Sequence, residues 1–523
     1  MTIGPTTLAG AVGLKIYNRQ QEPATSLLPQ RIAVIGSYNP AKTLVVDEVP
    51  VLILNEGDAG NRFGYGWPLH RLIKAVFEEN GGCRVYAVPQ TEVGTAAAGE
   101  LAFTGTATSA GVLYVRAGND LVAQLAVSIG DTAAIVGAAL ETLINAYTEA
   151  MITASDATGT ITINSKAKTT WGNGIALTVN EYDDGSANSP EPMPTGISVA
   201  ITDMASGATL PDIDDALDAL GTGDEKNYLG ITKIVHSYGL DQTTMTKVST
   251  WNGLGNQAVG LFEDTITKPV TTWYADVTAA NLSTLVTLGG TNKSCRDQII
   301  LGVPTSNSHP CILAAWACGV AANRNITHAE RSYRGLILSR AHVGTPGSDR
   351  WTKDHANRQT AVESGIATTI VKNGVVTLAD VVTTYHPDDV VVSSNGYRKA
   401  EHISITQNIL NSLRTTFESD SWQGMTLVLN KENVTNITSR ATTRDLSDIR
   451  AELIALAKNW AATAWLFDAS YTIDAIKAGT AVSLREAGNG IDFNLPLIYS
   501  GSIDVIDGTV EFDVALTVFL NAA

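Results

Sequence analysis

The sequence predicts a multidomain protein of α/β and α+β class: an α/β core, a small β-rich domain inserted into it, and a C-terminal α+β domain ending in a β-hairpin arm. Three observations carry this. Near-continuous apolar runs alternate with amphipathic helical patterns on both sides of residues 92–199, as expected for a sheet covered on both faces. Within 92–199 Ala, Thr, Gly and Val dominate and the apolar runs are short. From Ile491 the apolar residues alternate (Ile491, Phe493, Leu495, Leu497, Tyr499). After the turn signal Asp507-Gly508 they resume as Val510, Phe512, Val514, Leu516 and Val518, which is the pattern of a hairpin.

Taken in order, residues 1–25 are small, polar and punctuated by Pro and Gly, except for the strand-like run Leu14, Lys15, Ile16, Tyr17. They are expected to form an extended arm. Residues 26–91 form an α/β segment, with strands at Arg31–Gly36, Val51–Leu54 and Cys83–Val88. A helix over Pro68–Glu79 puts Leu69, Leu72, Ile73 and Val76 on one face. The insertion, 92–199, has strands at Leu101–Thr104, Val112–Arg116, Leu121–Ser128, Thr160–Asn164 and Gly174–Asn180. Its helix, Asp131–Ala146, has Asp131 and Thr132 as candidate N-caps. Residues 200–365 return to α/β, with strands at Leu229–Val235, Ala258–Phe262, Gln298–Val303 and Gly335–Leu338 and helices near Ile213–Leu220, Thr243–Leu254 and Ile312–Ala322. Residues 366–500 form the C-terminal domain. One helix there carries Ile405, Ile409, Leu413 and Phe417, another Leu446, Ile449, Leu453, Leu456 and Trp460, and Thr426–Leu429 is a strand. Residues 501–523 are the strand arm, which pairs within its own domain or with a neighbour, since a bare apolar edge recruits other chains.

A chain of 523 residues has room for several domains, and 44% hydrophobic residues suffice for buried cores. A net charge of −17 argues against binding nucleic acid through its phosphates. No run approaches the ~20 apolar residues of a membrane span. Pro310–Ala322 is too short and reads as a buried helix. MTIGPTTLAGAVG lacks a basic segment ahead of an apolar one, so no secretory signal is expected and the chain stays in the cytoplasm where it is made. Cys83, Cys295, Cys311 and Cys318 lack CxxC spacing and are expected to be reduced and buried.

Catalytic and metal-binding patterns fail in turn. Gly289-Gly290-Thr-Asn-Lys293-Ser294 approximates a phosphate loop, but Asn292 stands where Gly must precede the lysine. There is no GxSxG elbow, HExxH or EF-hand spacing. His309, Cys311 and Cys318 are close in sequence, yet Cys311 and Cys318 sit seven apart in a small-residue helix, which favours packing over zinc. Asp214-Asp215 and Asp388-Asp389 suit helix or loop starts. No cofactor or metal is expected, and this shortage of site chemistry points to a structural role.

Four stretches carry a resemblance. They are Phe63-Gly-Tyr-Gly-Trp-Pro-Leu-His-Arg-Leu-Ile-Lys-Ala-Val-Phe77 running on to Val85-Tyr-Ala-Val-Pro89; Leu101-Ala-Phe-Thr-Gly-Thr-Ala-Thr108 with Ile129-Gly-Asp-Thr-Ala133; Glu363-Ser-Gly-Ile-Ala-Thr368 followed by Val381-Val-Thr-Thr-Tyr385; and the strand from Gly508 to Leu520. In this order and spacing the chain resembles the tail sheath proteins of contractile-tailed bacteriophages, of the Mu-like type. It departs from them at Trp67-Pro68, Ile73 and His386-Pro-Asp-Asp.

The resemblance implies a middle domain of subtilisin-like fold without a catalytic site, since no local motif for the Asp, His and Ser of such a site occurs in 200–365. It implies a non-enzymatic virion subunit, assembled in the host cytoplasm as stacked hexameric rings around a tail tube and contracting to drive that tube through the host envelope. The implied partners are further copies of the chain, the tube protein, and the baseplate and tail terminator proteins, with no nucleic acid and no direct membrane insertion. Leu14–Tyr17 and Val510–Val518 would be strands lent to neighbours. On the helix around Asp445–Ala464, Arg450, Glu452 and Lys458 become candidates for contact with the tube. Two other classes stay open: a non-contractile virion protein, and a hydrolase built on the α/β core.

Overall fold

The computed structural model describes residues 27–180, 191–253, 261, 268–278, 282–343, 350–387, 396–485 and 490–501. These fall into two compact parts, 27–414 with 499–501, and 415–498. Both predicted arms, Leu14–Tyr17 and Val510–Val518, lie outside the described residues, as does most of the expected strand Ala258–Phe262.

The larger part opens with β1 (Arg31–Ser37), β2 (Val51–Ile53), α1 (Glu56–Phe63), α2 (Pro68–Glu79) and β3 (Arg84–Gln90). The insertion follows: β4 (Ala98–Gly105), β5 (Gly111–Ala117), β6 (Asp120–Val127), α3 (Ala133–Ala146), β7 (Ile152–Ala157), β8 (Thr160–Ser165), β9 (Leu177–Val179) and β10 (Ile197–Ala205). The chain then returns through α4 (Ile213–Asp218), β11 (Lys233–His236), α5 (Gln242–Asn252), β12 (Thr271–Asp276), α6 (Leu282–Thr291), β13 (Gln298–Gly302) and α7 (Pro310–Thr327). It closes with β14 (Ile337–Leu338), α8 (His355–Glu363), β15 (Ile366–Lys372), β16 (Val375–Asp380) and α9 (Ala400–Phe417).

One nine-stranded sheet, in the order β14-β16-β15-β13-β12-β11-β1-β3-β2, joins the segments on either side of the insertion. From β15 to β3 it is parallel, and β2, β14 and β16 are antiparallel additions at its two ends. β1 shows why its strands read as continuous apolar runs. Ile32 and Val34 pack on one face with Leu72 and Val76 of α2 and Leu313 of α7. Ala33 and Ile35 pack on the other with Leu217 of α4 and Val248 of α5. Period two therefore serves two cores at once. Lys233 of β11 is buried in this arrangement, donates to Gln30 Oε1 at 3.3 Å, and is pushed down to about 8 by burial.

The insertion is built from a four-stranded sheet, β10-β4-β8-β7, and a three-stranded sheet, β6-β5-β9, with α3 packed against both. Thr132 caps α3 by accepting from the Ile135 amide. The expected boundary at 199 is corrected: β10 straddles it and pairs with β4, and the module closes at the bridge between Thr95 and Ala208. The boundary at 365 is corrected too, because β15 pairs in parallel with β13 and extends the same sheet.

The smaller part holds β17 (Thr426–Leu427), α10 (Ile437–Ala441), β18 (Thr443–Arg444), α11 (Leu446–Ala462), α12 (Ala469–Ala478), β19 (Val482–Leu484) and β20 (Ile491–Phe493). Asp445 starts α11 with a capping box, accepting from the Ser447 and Asp448 amides while the Asp448 side chain accepts from its own. Ile449, Leu453, Leu456 and Trp460 form the buried stripe. The alternation from Ile491 to Tyr499 does not make one long strand. β20 stops at Phe493 and pairs with β19. Beyond it Pro496 has no amide to offer a ladder, its carbonyl accepts from the Thr472 hydroxyl at 2.6 Å, and the Ile498 carbonyl accepts from the Phe467 amide at 2.8 Å.

Candidate functional site

An open α/β sheet binds ligands beyond the carboxyl ends of its strands, where the strand order reverses. Here that place lies between β1 and β11, with β3 beyond. It is filled by side chains. The Tyr238 hydroxyl donates to Gln90 Oε1 at 2.5 Å, and Gln90 Nε2 donates to the Asp212 carbonyl at 2.6 Å. The His236 ring stacks on Tyr238 and meets Tyr274 edge-on, and its Nδ1 accepts from the Tyr238 amide at 3.2 Å. All four side chains are buried. Burial drives His236 down to about 4, so it is neutral at pH 7. In place of a hydroxyl or thiol that they could activate as a nucleophile, His70, His236 and His309 take backbone partners.

The look-alike phosphate loop, already rejected for Asn292, fails on position as well. Gly289 and Gly290 lie inside α6, which the sequence pattern had not revealed, so the run sits at a helix's C-terminal end. A phosphate cradle requires the opposite end, where amides are unpaired. His309 is the N-cap of α7. Its Nδ1 accepts from the Cys311 amide, its Nε2 lies 2.9 Å from the Trp171 carbonyl, and its ring stacks on Trp171 at 3.8 Å. Cys311 and Cys318 are buried thiols, and burial pushes Cys311 up to about 12. Among the described residues, no group of three or more His, Cys, Asp or Glu is placed to hold a metal, and no helix is long and apolar enough to cross a membrane.

What the fold does assemble is a clamp between core and insertion that no local motif foretells. Arg71 of α2 is almost fully buried, and its carboxylates come from the insertion: Asp120 in direct ion pair and Glu149 at 4.0 Å. Lys74, one turn on, pairs with Glu149 at 2.5 Å. Asn119 donates to the Arg340 carbonyl, and Lys166 donates to the Tyr65 carbonyl at 3.5 Å. Gly66 sits at φ +81 with the Ala150 carbonyl where a Cβ would stand, so the Gly of the Phe63–Trp67 motif is required by close approach. A single apolar cluster runs from Leu72 and Val76 through Leu101, Leu113 and Ile161.

In the smaller part the three predicted contact residues separate. Lys458 is exposed, Glu452 is half-buried, and the Arg450 guanidinium lies against Gly479 at the end of α12 rather than projecting outward. Arg450 and Glu452 are thus both half-buried, and Lys458 alone of the three is exposed. The β19–β20 pair is a ribbon of two strands, with Leu484 and Phe493 each about two-fifths exposed.

No family model matches the chain. A Mu-like prophage tail sheath protein of Haemophilus influenzae is 36% identical over 162 residues, which is 30% of this chain and 32% of that protein. The match thus spans about a third of that relative's length. It bears out the resemblance read from the four sequence stretches. Among solved structures, the sheath of an extracellular contractile injection system in its contracted state aligns over 98% of this chain and 100% of its own, at 11% identity and a TM-score of 0.46. A sheath tail protein of Desulfitobacterium hafniense aligns over 93% and 100%, at 11% identity and a TM-score of 0.44. At such values these two establish neither fold nor function for this chain.

Proposed function

We propose that this chain is a non-enzymatic subunit of a contractile tail sheath. It polymerises around an inner tube as stacked hexameric rings and shortens to drive the tube through a host envelope. The observation that carries the reading is the tail sheath relative at 36% identity. On this reading the α/β core is a subtilisin-like fold without its catalytic site, in keeping with the filled crevice between β1 and β11.

The sheath is assembled in the host cytoplasm and resides in the virion, with the tube, baseplate and tail terminator proteins as partners. Its subunits are linked by exchanged strands. Leu14–Tyr17 and Val510–Val518 leave their own chain and add to a neighbour, where main-chain hydrogen bonds supply the connection. The β19–β20 ribbon is the acceptor this reading favours, because a lone two-stranded ribbon is marginal in water and gains most from added strands. Arg450, Glu452 and Lys458 are the candidates for tube contact.

The test is removal of residues 509–523. The expected chain is soluble, melts within a few degrees of the parent and forms no tubes or rings in electron micrographs. An unfolded or aggregated product would place the segment in its own domain's core and end the strap idea. Tubes that form without the segment would do the same, and parent tubes that never shorten would favour a non-contractile virion protein.

A further inference from the structure

The two ends of the nine-stranded sheet are unlike each other in a way the sheath reading does not use. At one end, the residues leading into β2 form an ordered apolar protrusion. Leu44 is 97% exposed, Leu54 75% and Val46 64%, with Val49 and Leu52 also exposed. Monomeric surfaces rarely gather apolar groups so closely without a partner. The protrusion is pinned by its backbone. The Lys42 amide donates to the Asn39 carbonyl at 2.9 Å, the Val45 amide to the Lys42 carbonyl at 3.1 Å, and the Glu48 amide to the Pro89 carbonyl at 2.8 Å. Glu48 is held at φ +59, a conformation that costs a non-glycine residue energy and persists where the surroundings impose it. β2 itself is the last strand on that side, so its outer backbone edge has no ladder partner within the sheet.

At the other end, α8, β15 and β16 enclose a cleft of about 610 Å³. Val362, Ile370, Ala379 and Val381 line it, and Ile337 of the edge strand β14, in register with Thr377 and Ile370 on the same sheet face, is exposed. The charges of the two ends differ in sign. The protrusion and its flanks carry Asp47, Glu48, Glu56 and Asp58 against Lys42. The cleft carries Arg334, Arg358 and Lys399 against Asp380 and Glu401.

We propose that the Leu44–Leu54 protrusion of one subunit seats in the α8–β15–β16 cleft of a second copy of this chain. Such a contact is heterologous: each subunit offers a knob on one side and a cleft on the other. Repeated head to tail, it closes into a ring or continues as a helix. Apolar side chains supply the burial, and the opposite charges orient the approach and select the pairing. The pinned backbone lowers the ordering cost on docking. With six to seven strand spacings between β2 and the β15–β16 cleft, roughly 30 Å of sheet separates successive contacts. The contact deepens the sheath reading and rests on its premise that the chain polymerises; unlike the exchanged strands, it joins folded bodies.

Two full-length variants test it. Leu44→Cys and Gln359→Cys each place one accessible thiol in a chain whose native cysteines, among the described residues, are buried, and Gln359 lies on the exposed rim of the cleft. Under mild oxidation, assembled mixtures of the two should give a disulfide-linked dimer well above the level from either chain alone. Leu44→Asp should melt as the parent does and need at least tenfold more protein to assemble. If the parent assembles but the mixture gives no excess dimer, or Leu44→Asp assembles like the parent, the contact is wrong and the sheath reading stands. A Leu44→Asp monomer that melts several degrees lower would mean that the protrusion is covered by its own chain, which also overturns the contact. A parent that never polymerises overturns both readings.

Discussion

The sheet-and-insertion body and the 415–498 part solve different physical problems. In the former, strands of five to seven residues such as β1, β12, β13 and β15 are buried along most of their length, and one apolar cluster continues from the sheet into the insertion. In the latter, the strands are two or three residues long, and Leu429, Ile437 and Phe467 are 86%, 85% and 78% exposed. The first buries most of its apolar residues in shared clusters and leaves exposed only stretches such as Leu44–Leu54. The second has a good helix pair, α11 on α12, beside apolar surface that its own residues leave uncovered. On the sheath reading proposed above, well-buried clusters would hold a subunit's shape and exposed apolar stretches would join it to its neighbours.

The contrast is broken most sharply by acid. All eight histidines precede residue 415. Burial holds His236 and His309 near 4 and, with the Arg71 charge beside it, His70 near 3. An unfolded chain takes up these protons near 6.5 and the folded one does not, so stability falls as pH drops through that window. By pH 5 each histidine costs roughly 2 kcal/mol. Asp297, pushed up to about 6 by burial, gains a proton in the folded state first and works the other way by about 1.4 kcal/mol. The net loss, on the order of 4 kcal/mol, should appear in hydrogen exchange as weakened protection in 27–414 between pH 6.5 and 5. Peptides from 415–498, which contain no histidine, should keep theirs. Equal loss in both would mean that the two parts unfold as one unit.

The next largest effect concerns the clamp. Arg71→Ala leaves Asp120 without its partner at a buried junction and should destabilise the chain by about 3 kcal/mol, read as a lower midpoint in urea. The clamp also argues that the small β-rich domain read at 92–199 is not a separate bead that a short Gly/Ser linker could replace. Excising it would strand Arg71 and Lys74 and uncover the apolar cluster it shares with α2 and α7. A linker variant as stable as the parent would restore the bead picture.

The sequence was most legible where structure is local. α2 spans the residues its apolar stripe and Pro68 predict, and α3 begins at its Thr132 cap. α1 stayed hidden because EGDAGNRF has few apolar residues to mark a face, and α6 because its Gly289-Gly290 reads as a breaker. The boundaries at 199 and 365 failed for a non-local reason: β10 belongs with β4 and β15 with β13, strands whose pairing leaves no mark on neighbouring residues. The clamp was illegible for the same reason, since Arg71, Asp120 and Glu149 are ordinary surface residue types until the insertion folds back. The alternation of Val510–Val518 was plain in the sequence, but it falls beyond the described residues.

The smallest effect on the monomer is expected where the comparison is most exposed to error. Phe467 follows the α11 region and precedes the Asp468 cap of α12; its amide is bonded to Ile498 while its ring is 78% exposed. Phe467→Ser keeps the amide and removes a ring that covers little of its own part. Substitutions at such surface positions change folding stability by no more than about 0.5 kcal/mol. The urea midpoint of the isolated chain should therefore hold, while assembly weakens if the ring is buried between subunits. A drop of about 2 kcal/mol in the monomer would mean that the ring is covered within its own chain, and that 415–498 is a finished body like the sheet.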